Sequence, residues 1–362
     1  MEILQICPGA YQSGRGGISE HIKNISERLA KRHDVTVYAT NPGNSLPWYE
    51  YADGVRVRRF KRFSPSGSYF FSGHMTVKLC RAKFDVVHGH GYNAFPVHSA
   101  PLAASGKLIV SPHFHGVGHS VFRNCLFQLF KPIGKNVLTR ADRIVAVSEF
   151  EKSLLCKYFN LASDHVVLIP NGLDLTEFVG LHRHRRSFRS ILYVGRLETY
   201  KGIQYLVEAL RRLEDDIVLE IVGTGSLKGT LEDRARQLKV DRRVLFHQGL
   251  SRRELLQKYL DADLFVLLSE YEAYSLAVAE ALATGTPCIV ANTSALTEWV
   301  DNVTCFGIEM PIRLSELLRL IRCVLDSSSD RKPLTASARP SASSKKILSW
   351  DEVVKRLECL YS

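Results

Sequence analysis

Short runs rich in Val, Ile and Leu alternate with amphipathic stretches from the first residues onward, break at a basic connector, and then begin again. Alternation of this kind demands parallel strands joined by crossover helices, because neither element can bury its apolar face alone. In the first half, strands are expected at residues 2–7, 35–40, 55–59, 86–90, 107–111, 143–147 and 166–169. Helices are expected at 17–32, 77–83, 121–139 and 149–159. The helix from Gly17 carries Ile18, Ile22, Ile25 and Leu29 at the spacing of one buried face. The connector reads Leu181-His182-Arg183-His184-Arg185-Arg186-Ser187. Beyond it strands are expected at 190–194, 217–222, 244–248 and 264–268, with helices at 202–213, 228–238 and 252–260. Two doubly wound α/β domains in series follow, with a ligand cleft expected between their strand ends. The division is 1–174, a linker over 175–189, 190–326, a Ser-, Arg-, Lys- and Pro-rich mobile loop over 327–346, and a terminal helix over 347–362.

At 362 residues the chain is long enough for two cores. No apolar run reaches the roughly 20 residues of a membrane span, and the first residues lack a signal-peptide pattern. The eight cysteines are scattered without a C-x-x-C pair, which reads as reduced thiols and a cytoplasmic setting. Of the net charge of +11, residues 1–175 hold +9, from 21 Lys and Arg against 12 Asp and Glu. Arg56, Arg58, Arg59, Lys61 and Arg62 cluster beside Phe60, Phe63, Tyr69, Phe70 and Phe71. Such a surface suits an anionic bilayer; the plain alternative is a solvated strand edge. Nucleic acid has only the charge in its favour, and none is expected as a partner.

The chemistry concentrates in Ser269-Glu270-Tyr271-Glu272-Ala273-Tyr274-Ser275-Leu276-Ala277-Val278-Ala279-Glu280. An apolar strand precedes it, an alanine-rich helix over 276–283 completes it, and a strand over 288–291 follows. One carboxylate therefore sits before a helix N-terminus and a second lies about a turn inside. The helix end offers N–H groups to phosphate, and carboxylates accept hydrogen bonds from sugar hydroxyls. A nucleotide-sugar diphosphate has both parts. Upstream, Gly195-Arg196-Leu197 ends a strand and Lys201-Gly202 opens a helix. Two cations at a strand-to-helix turn can clamp a diphosphate.

With these motifs in order, the chain resembles the large retaining glycosyltransferase family of the GT-B fold, the glycogen synthase and phosphatidylinositol mannosyltransferase-like group. The resemblance also draws on Gly16-Gly17, Val87-His88-Gly89-His90, Ser111-Pro112-His113, Ala146-Val147-Ser148-Glu149, Ile169-Pro170-Asn171-Gly172-Leu173-Asp174, Val222-Gly223-Thr224-Gly225 and Ser349-Trp350. It implies two Rossmann-like domains facing across a cleft, with the last helix crossing back to the N-domain. It implies that Glu280 holds the ribose, Glu272 the donor sugar's hydroxyls, and Arg196 and Lys201 the diphosphate. His113 would contact the sugar at its reacting face. Gly16, Gly17, Asn171, Gly195, Gly225, Ala273, Tyr274, Ser275 and Leu276 complete the implied donor site. Two positions depart from the family, whose glycines are Ala273 and Ser275 here.

Other features have competing readings. Asp261-Ala262-Asp263 matches a metal-binding D-x-D, but its place before a buried strand suits a cap or turn. The pairs His88/His90, His113/His115 and His182/His184 lack a third zinc ligand nearby, so His88 and His90 read as packing residues, and no metal is expected. His115 is the rival to His113. Gly14-Arg15-Gly16-Gly17 lacks the spaced glycines and acidic partner of a dinucleotide site. Residues 121–135, with Phe122, Leu126, Phe127, Leu129 and Phe130 among Arg123, Lys131 and Lys135, read either as a buried helix with a basic edge or as an interfacial helix.

The expected activity is metal-independent retaining transfer of a hexose-type sugar from a UDP- or GDP-linked donor, without cofactor. The expected acceptor is a hydroxyl of a lipid, lipid-phosphate or glycan, and the basic N-domain leaves room for peripheral contact with an anionic membrane at the inner face of the cell membrane. The alternative of another class is a non-catalytic nucleotide-sugar-binding subunit that partners an active transferase.

Overall fold

The computed structural model describes residues 1–11, 16–41, 43, 45–63, 71–92, 94–116, 121–327 and 347–362, with backbone alone over 121–130. Gly14 and Arg15, Tyr69 and Phe70, the side chains of the apolar face over 122–130 and nearly all of the 327–346 segment lie outside the described residues. The chain forms two compact units, Met1–Gly172 with Leu348–Ser362, and Leu173–Ile347.

The first unit is built on β1 (Glu2–Cys7), β2 (Asp34–Asn41), β3 (Tyr49–Ala52), β4 (Val55–Lys61), β5 (Phe84–His90), β6 (Ala104–Ser111), β7 (Arg143–Ala146) and β8 (Val166–Leu168). Their order is β3-β4-β2-β1-β5-β6-β7-β8, parallel throughout except for β3, which pairs antiparallel with β4 at the edge. Helices α1 (Gly17–Leu29), α2 (Gly73–Cys80), α3 (Phe95–His98), α4 (Val121–Arg140) and α5 (Glu149–Phe159) connect them, and a two-residue strand, β9 (Gly172–Leu173), follows. Helix α1 buries Ile22, Ile25 and Leu29, as its apolar spacing requires.

The second unit has β10 (Arg189–Val194), β11 (Ile217–Val222), β12 (Val244–His247), β13 (Leu264–Leu267), β14 (Cys288–Ala291) and β15 (Cys305–Ile308). Its order is β12-β11-β10-β13-β14-β15, all parallel. Helices α6 (Ile203–Leu210), α7 (Lys228–Leu238), α8 (Arg252–Asp261), α9 (Leu276–Ala283) and α10 (Leu314–Ser327) cover it. The last helix, α11 (Trp350–Tyr361), belongs to the first unit and opens with a capping box of Ser349 and Glu352. It packs along α1 through Arg28–Asp351 and Arg32–Glu358 ion pairs and a His33–Glu358 hydrogen bond at 2.9 Å. Gly172 makes that docking possible, since a Cβ there would lie 2.7 Å from the Trp350 backbone nitrogen.

Several elements differ from the sequence reading. Strand β3, strand β15 and helix α10 were not anticipated, and α2 begins four residues earlier than its apolar spacing suggested. Arg59 and Phe60 are core residues, not part of an exposed basic patch. Edge strand β3 explains this: its Glu50 pairs with Arg59 at 2.6 Å, and the carbonyls of Pro47 and Tyr11 accept from the two terminal guanidinium nitrogens at 2.9 and 3.2 Å. Tyr49, Tyr51, Arg56, Lys61 and Phe63 keep the exposed face.

The basic connector is tied to the second unit. Asp261 accepts from the His184 backbone N–H at 2.8 Å and pairs with Arg186 at 3.1 Å, while Asp263 accepts from the Ser190 N–H at 2.8 Å. Arg186 also pairs with buried Glu220. Burial opposes the Asp261 charge, yet His184, Gln257 and Arg186 together hold its pKa below the usual carboxylate value. The D-x-D carboxylates are thus occupied with chain anchoring. Asp261→Ala strips Arg186 and His184 of a buried partner and is expected to lower unfolding free energy by about 3 kcal/mol in urea titrations. Asp233→Ala, which breaks an exposed pair with Arg236, costs under about 1 kcal/mol.

Candidate functional site

In the second sheet the chain leaves β10 toward β11 on one side, while β13 occupies the other. Loops at the carboxyl ends of β10 and β13 therefore diverge, and a crevice at such a switch point is where open α/β sheets take ligands. The β10 loop carries Gly195, Arg196 and Lys201; the β13 loop carries Glu272, Ala273, Tyr274 and Ser275 and leads into α9, with Leu276 at its start and Glu280 inside. The two loops are bound together by the Glu270 N–H donating to the Tyr200 carbonyl at 2.8 Å.

Lys201 Nζ lies 2.5 Å from Glu272 Oε1, so the sequence-predicted phosphate cation and sugar carboxylate meet as an ion pair. Arg196 is exposed and hydrogen-bonds the Tyr200 hydroxyl. The Tyr200 ring centre lies 5.7 Å from Arg196 Cζ and 5.2 Å from Lys201 Nζ, which places one aromatic face against both cations. Glu272 is oriented from behind: its N–H donates to Ser294 Oγ at 3.0 Å and its carbonyl accepts from the Ala295 N–H at 3.3 Å. Glu280 is buried and pairs with Arg252, which Glu177 also holds at 2.9 Å. Gly225 sits where a Cβ would fall 2.3 Å from the Leu197 carbonyl oxygen, so its glycine is needed for the β10 and β11 loops to close on each other. Gly195 donates to the Val222 carbonyl at 3.0 Å in the same contact.

Helix α9 begins without a side-chain cap, leaving first-turn N–H groups without intrahelical acceptors. Its N-cap, Ser275, has φ 79°, a left-handed conformation that explains the glycine of the resembled family. Tyr274 is buried beside Trp299, whose Nε1 donates to the Tyr274 carbonyl at 2.8 Å.

In the first sheet the switch point falls between β1 and β5. Gly16 (φ 111°) caps α1 after β1, and Gly17 opens the helix. His21 projects from the next turn, His90 ends β5, and His113 follows β6 with φ 49°. Their ring centres lie 5.2 to 5.9 Å apart. His21 Nδ1 is 2.8 Å from Asn171 Oδ1, and the Trp350 ring closes on His21 edge-on at 5.6 Å. His88 is spent on Tyr361 and Ser111, each at 2.8 Å. Burial lowers His21 to about 4 and pushes His88, His90 and His113 well below the usual imidazole value, so these rings are neutral. His113 belongs to the cluster and His115 does not.

Glu151 fixes the loop that carries His113. Its buried carboxyl accepts from the Phe114 N–H at 2.5 Å and the Val147 N–H at 2.8 Å. Tyr200, Arg252, Glu177, Ser294 and Glu151 were all absent from the sequence reading. Glu177 and Arg252 are 75 residues apart, Ser294 is 22 from Glu272 and Glu151 is 37 from Phe114, so no local spacing marks those four; Tyr200 lies four residues from Arg196, where the spacing could have pointed to it.

Two outcomes follow for these positions. Ser275→Gly relieves the left-handed serine and should raise unfolding free energy by about 1 kcal/mol, read by thermal and urea unfolding. Burial pushes the Glu151 carboxyl up to about 8, against the two N–H groups that favour its charge. A raised folded-state pKa means stability held at low pH and lost as pH climbs through that value. Against Glu151→Gln, which has no proton to lose, the wild type should therefore weaken by up to about 1.4 kcal/mol per pH unit between roughly pH 5 and 8. A pH-independent gap would contradict this.

Residues 182–339 match the family model for glycosyl transferases group 1, and residues 15–177 match that for glycosyltransferase family 4. Glycogen synthase of Mycobacterium tuberculosis is 28% identical over 96% of this chain and 91% of its own. Sucrose-phosphate synthase from Thermosynechococcus elongatus superposes with a TM-score of 0.83 at 18% identity, covering 100% of this chain and 98% of that one. HepE of Anabaena, in complex with UDP and glucose, gives a TM-score of 0.76 at 17% identity over 99% of both chains. These structural likenesses show the fold, with Rossmann-like units on parallel sheets.

Proposed function

Because the chain belongs to the group 1 glycosyltransferases of the GT-B fold, we propose that it carries a hexose-type sugar from a UDP- or GDP-linked donor to a hydroxyl acceptor, with the anomeric configuration retained. The observation that supports this most is the Lys201–Glu272 pair beside the N-terminus of α9, at the switch point of the second sheet. A diphosphate brought there meets Lys201, Arg196 and the first-turn N–H groups. Glu272, released from Lys201, then turns its oxygens to sugar hydroxyls. Glu280, already charged against Arg252, takes the ribose.

In this reading departure of the nucleoside diphosphate builds negative charge next to fixed cations and amide dipoles, which stabilise it without reorganising. The leaving phosphate receives the acceptor's proton on the same face, so neither an enzymatic nucleophile nor a metal is required. The HepE structure was solved with UDP and glucose, which favours UDP as the first donor to try. Exposed Tyr49, Tyr51, Arg56, Lys61 and Phe63 on the first unit suit an acceptor at an anionic membrane face, a lipid or glycan precursor. No described helix is long and apolar enough to cross a membrane.

The test is calorimetric titration with UDP and GDP, alongside Glu280→Ala and a fold check by circular dichroism. One nucleotide should bind in the micromolar range, and the variant should bind it about ten- to a hundredfold more weakly. Equal binding by the folded variant would remove Glu280 from the site. Incubation with the matching nucleotide-sugar then separates an enzyme from a non-catalytic donor-binding subunit, a reading that Ala273 and Ser275 keep in view. Release of free nucleotide supports the enzyme.

A further inference from the structure

Among the buried imidazole nitrogens of the first unit without a hydrogen-bond partner, His21 Nε2, His90 Nδ1 and His113 Nε2 belong to one cluster. These are ring atoms of residues whose ligand nitrogens all lie within 4.8 Å of one another. The outer edges of two rings decide what the inner edges offer. His21 Nδ1 faces Asn171 Oδ1 at 2.8 Å, and His90 Nε2 faces Gln5 Oε1 at 2.7 Å. A carboxamide oxygen only accepts, so each of those ring nitrogens carries the hydrogen. In a neutral imidazole the other nitrogen is then a bare lone pair. The Gln5 amide is itself oriented, its Nε2 donating to the Tyr361 hydroxyl at 3.4 Å. Two lone pairs are fixed in this way, on His21 Nε2 and His90 Nδ1, in one cluster with the buried, unpartnered Nε2 of His113, and a buried acceptor left unpaired costs roughly 1–3 kcal/mol.

The arrangement has the parts of a metal site. Ligating histidines commonly donate their second N–H to an oxygen that fixes tautomer and ring orientation, as Asn171 and Gln5 do here. Three imidazoles with a fourth position left open is a zinc-type donor set. A tetrahedral ion with Zn–N of about 2.0 Å needs N···N separations of roughly 3.3 Å, so the rings must close in by less than about one ångström each. We propose that His21, His90 and His113 form a three-histidine site for one divalent cation of the zinc class, held at the carboxyl edge of β1, β5 and β6. His88, with both nitrogens engaged by Tyr361 and Ser111, takes no part. The sequence pairs His88 with His90 and hides the true third ligand, which comes from α1. This site goes beyond the transfer reading and does not rest on it.

Cobalt(II) is the probe, added to the full chain after treatment with a chelator. One equivalent should give the intense visible band of a four- or five-coordinate ion, without sulfur-to-cobalt charge transfer, and zinc should erase it. His113→Ala should abolish the band. Asn171→Ala, which frees the outer edge of His21, should weaken cobalt binding about ten- to a hundredfold. His182→Asn, at an exposed connector histidine, should leave it unchanged. The wild-type spectrum decides by itself if a variant fails to fold. A weak octahedral band, a sulfur signature, or a band that survives His113→Ala would overturn the proposal, leaving the lone pairs to water or a hydroxyl.

Discussion

Right-handed crossover of parallel strands leaves each sheet one place where neighbouring loops part, and that constraint governs where chemistry can sit in this chain. In the second unit the parting lies between β10 and β13; in the first it lies between β1 and β5. Charged and titratable groups with unusual surroundings gather at these two points. Lys201, Arg196 and Glu272 surround one, and His21, His90 and His113 the other. Elsewhere buried carboxylates do mechanical work, as when Asp261 and Asp263 hold the connector. The difference is one of place: Asp261, Asp263 and Glu220 bind groups that anchor the connector, whereas Lys201 and Glu272 pair at the second switch point.

Much of this was legible in the residues. The helix at 276–283 and the strand at 288–291 fell on their predicted bounds, because a Gly-Thr-Pro turn and an alanine-rich run leave little choice. The two glutamates, Arg196 and Lys201 could be read for the same reason, since they sit beside turn signals within one β-to-α unit. What escaped were interactions between distant segments. Arg252 looks like an ordinary first-turn helix residue until Glu280 and Glu177 arrive from elsewhere. Glu151 reads as a helix-start acid, yet it ties the Val147 N–H of its own loop to the Phe114 N–H of the β6 loop 37 residues away. Strand β3 has only four residues and alternates on an edge, too short for a periodic signal.

Backbone strain follows the same geography in part. Of the seven described non-glycine residues with positive φ, His113 follows a strand at the first sheet's carboxyl edge, Ser275 and Ser294 lie at the second unit's candidate site, and Asp53, Asn160, Lys239 and Asn302 lie elsewhere. Each of the first three is held by surrounding contacts: Ser294 through the Glu272 N–H, His113 through Phe114 and Glu151, Ser275 by the start of α9. Strained residues persist where structure around them over-determines the conformation, and they concentrate at functional sites. A serine in place of glycine at 275 therefore carries a cost in stability while adding a hydroxyl next to the open N–H groups of α9.

The charges at the second switch point show how such a site stays folded while remaining able to bind. An unpaired half-buried carboxylate or ammonium is expensive, and pairing Lys201 with Glu272 removes that expense. The same pair sets a condition on any ligand. Uncharged sugar can satisfy Glu272 but leaves Lys201 without an anion, and phosphate alone does the reverse. Only a molecule that presents an anion and hydroxyls together, at the spacing of the two side chains, replaces both halves of the pair at once. Glu280 is different, because its partner Arg252 comes from a neighbouring helix and is itself held by Glu177. In the proposed function, selectivity for a sugar joined to a nucleoside diphosphate rests on exchanging the Lys201–Glu272 pair while Glu280 keeps Arg252, and the sequence places the two carboxylates eight residues apart.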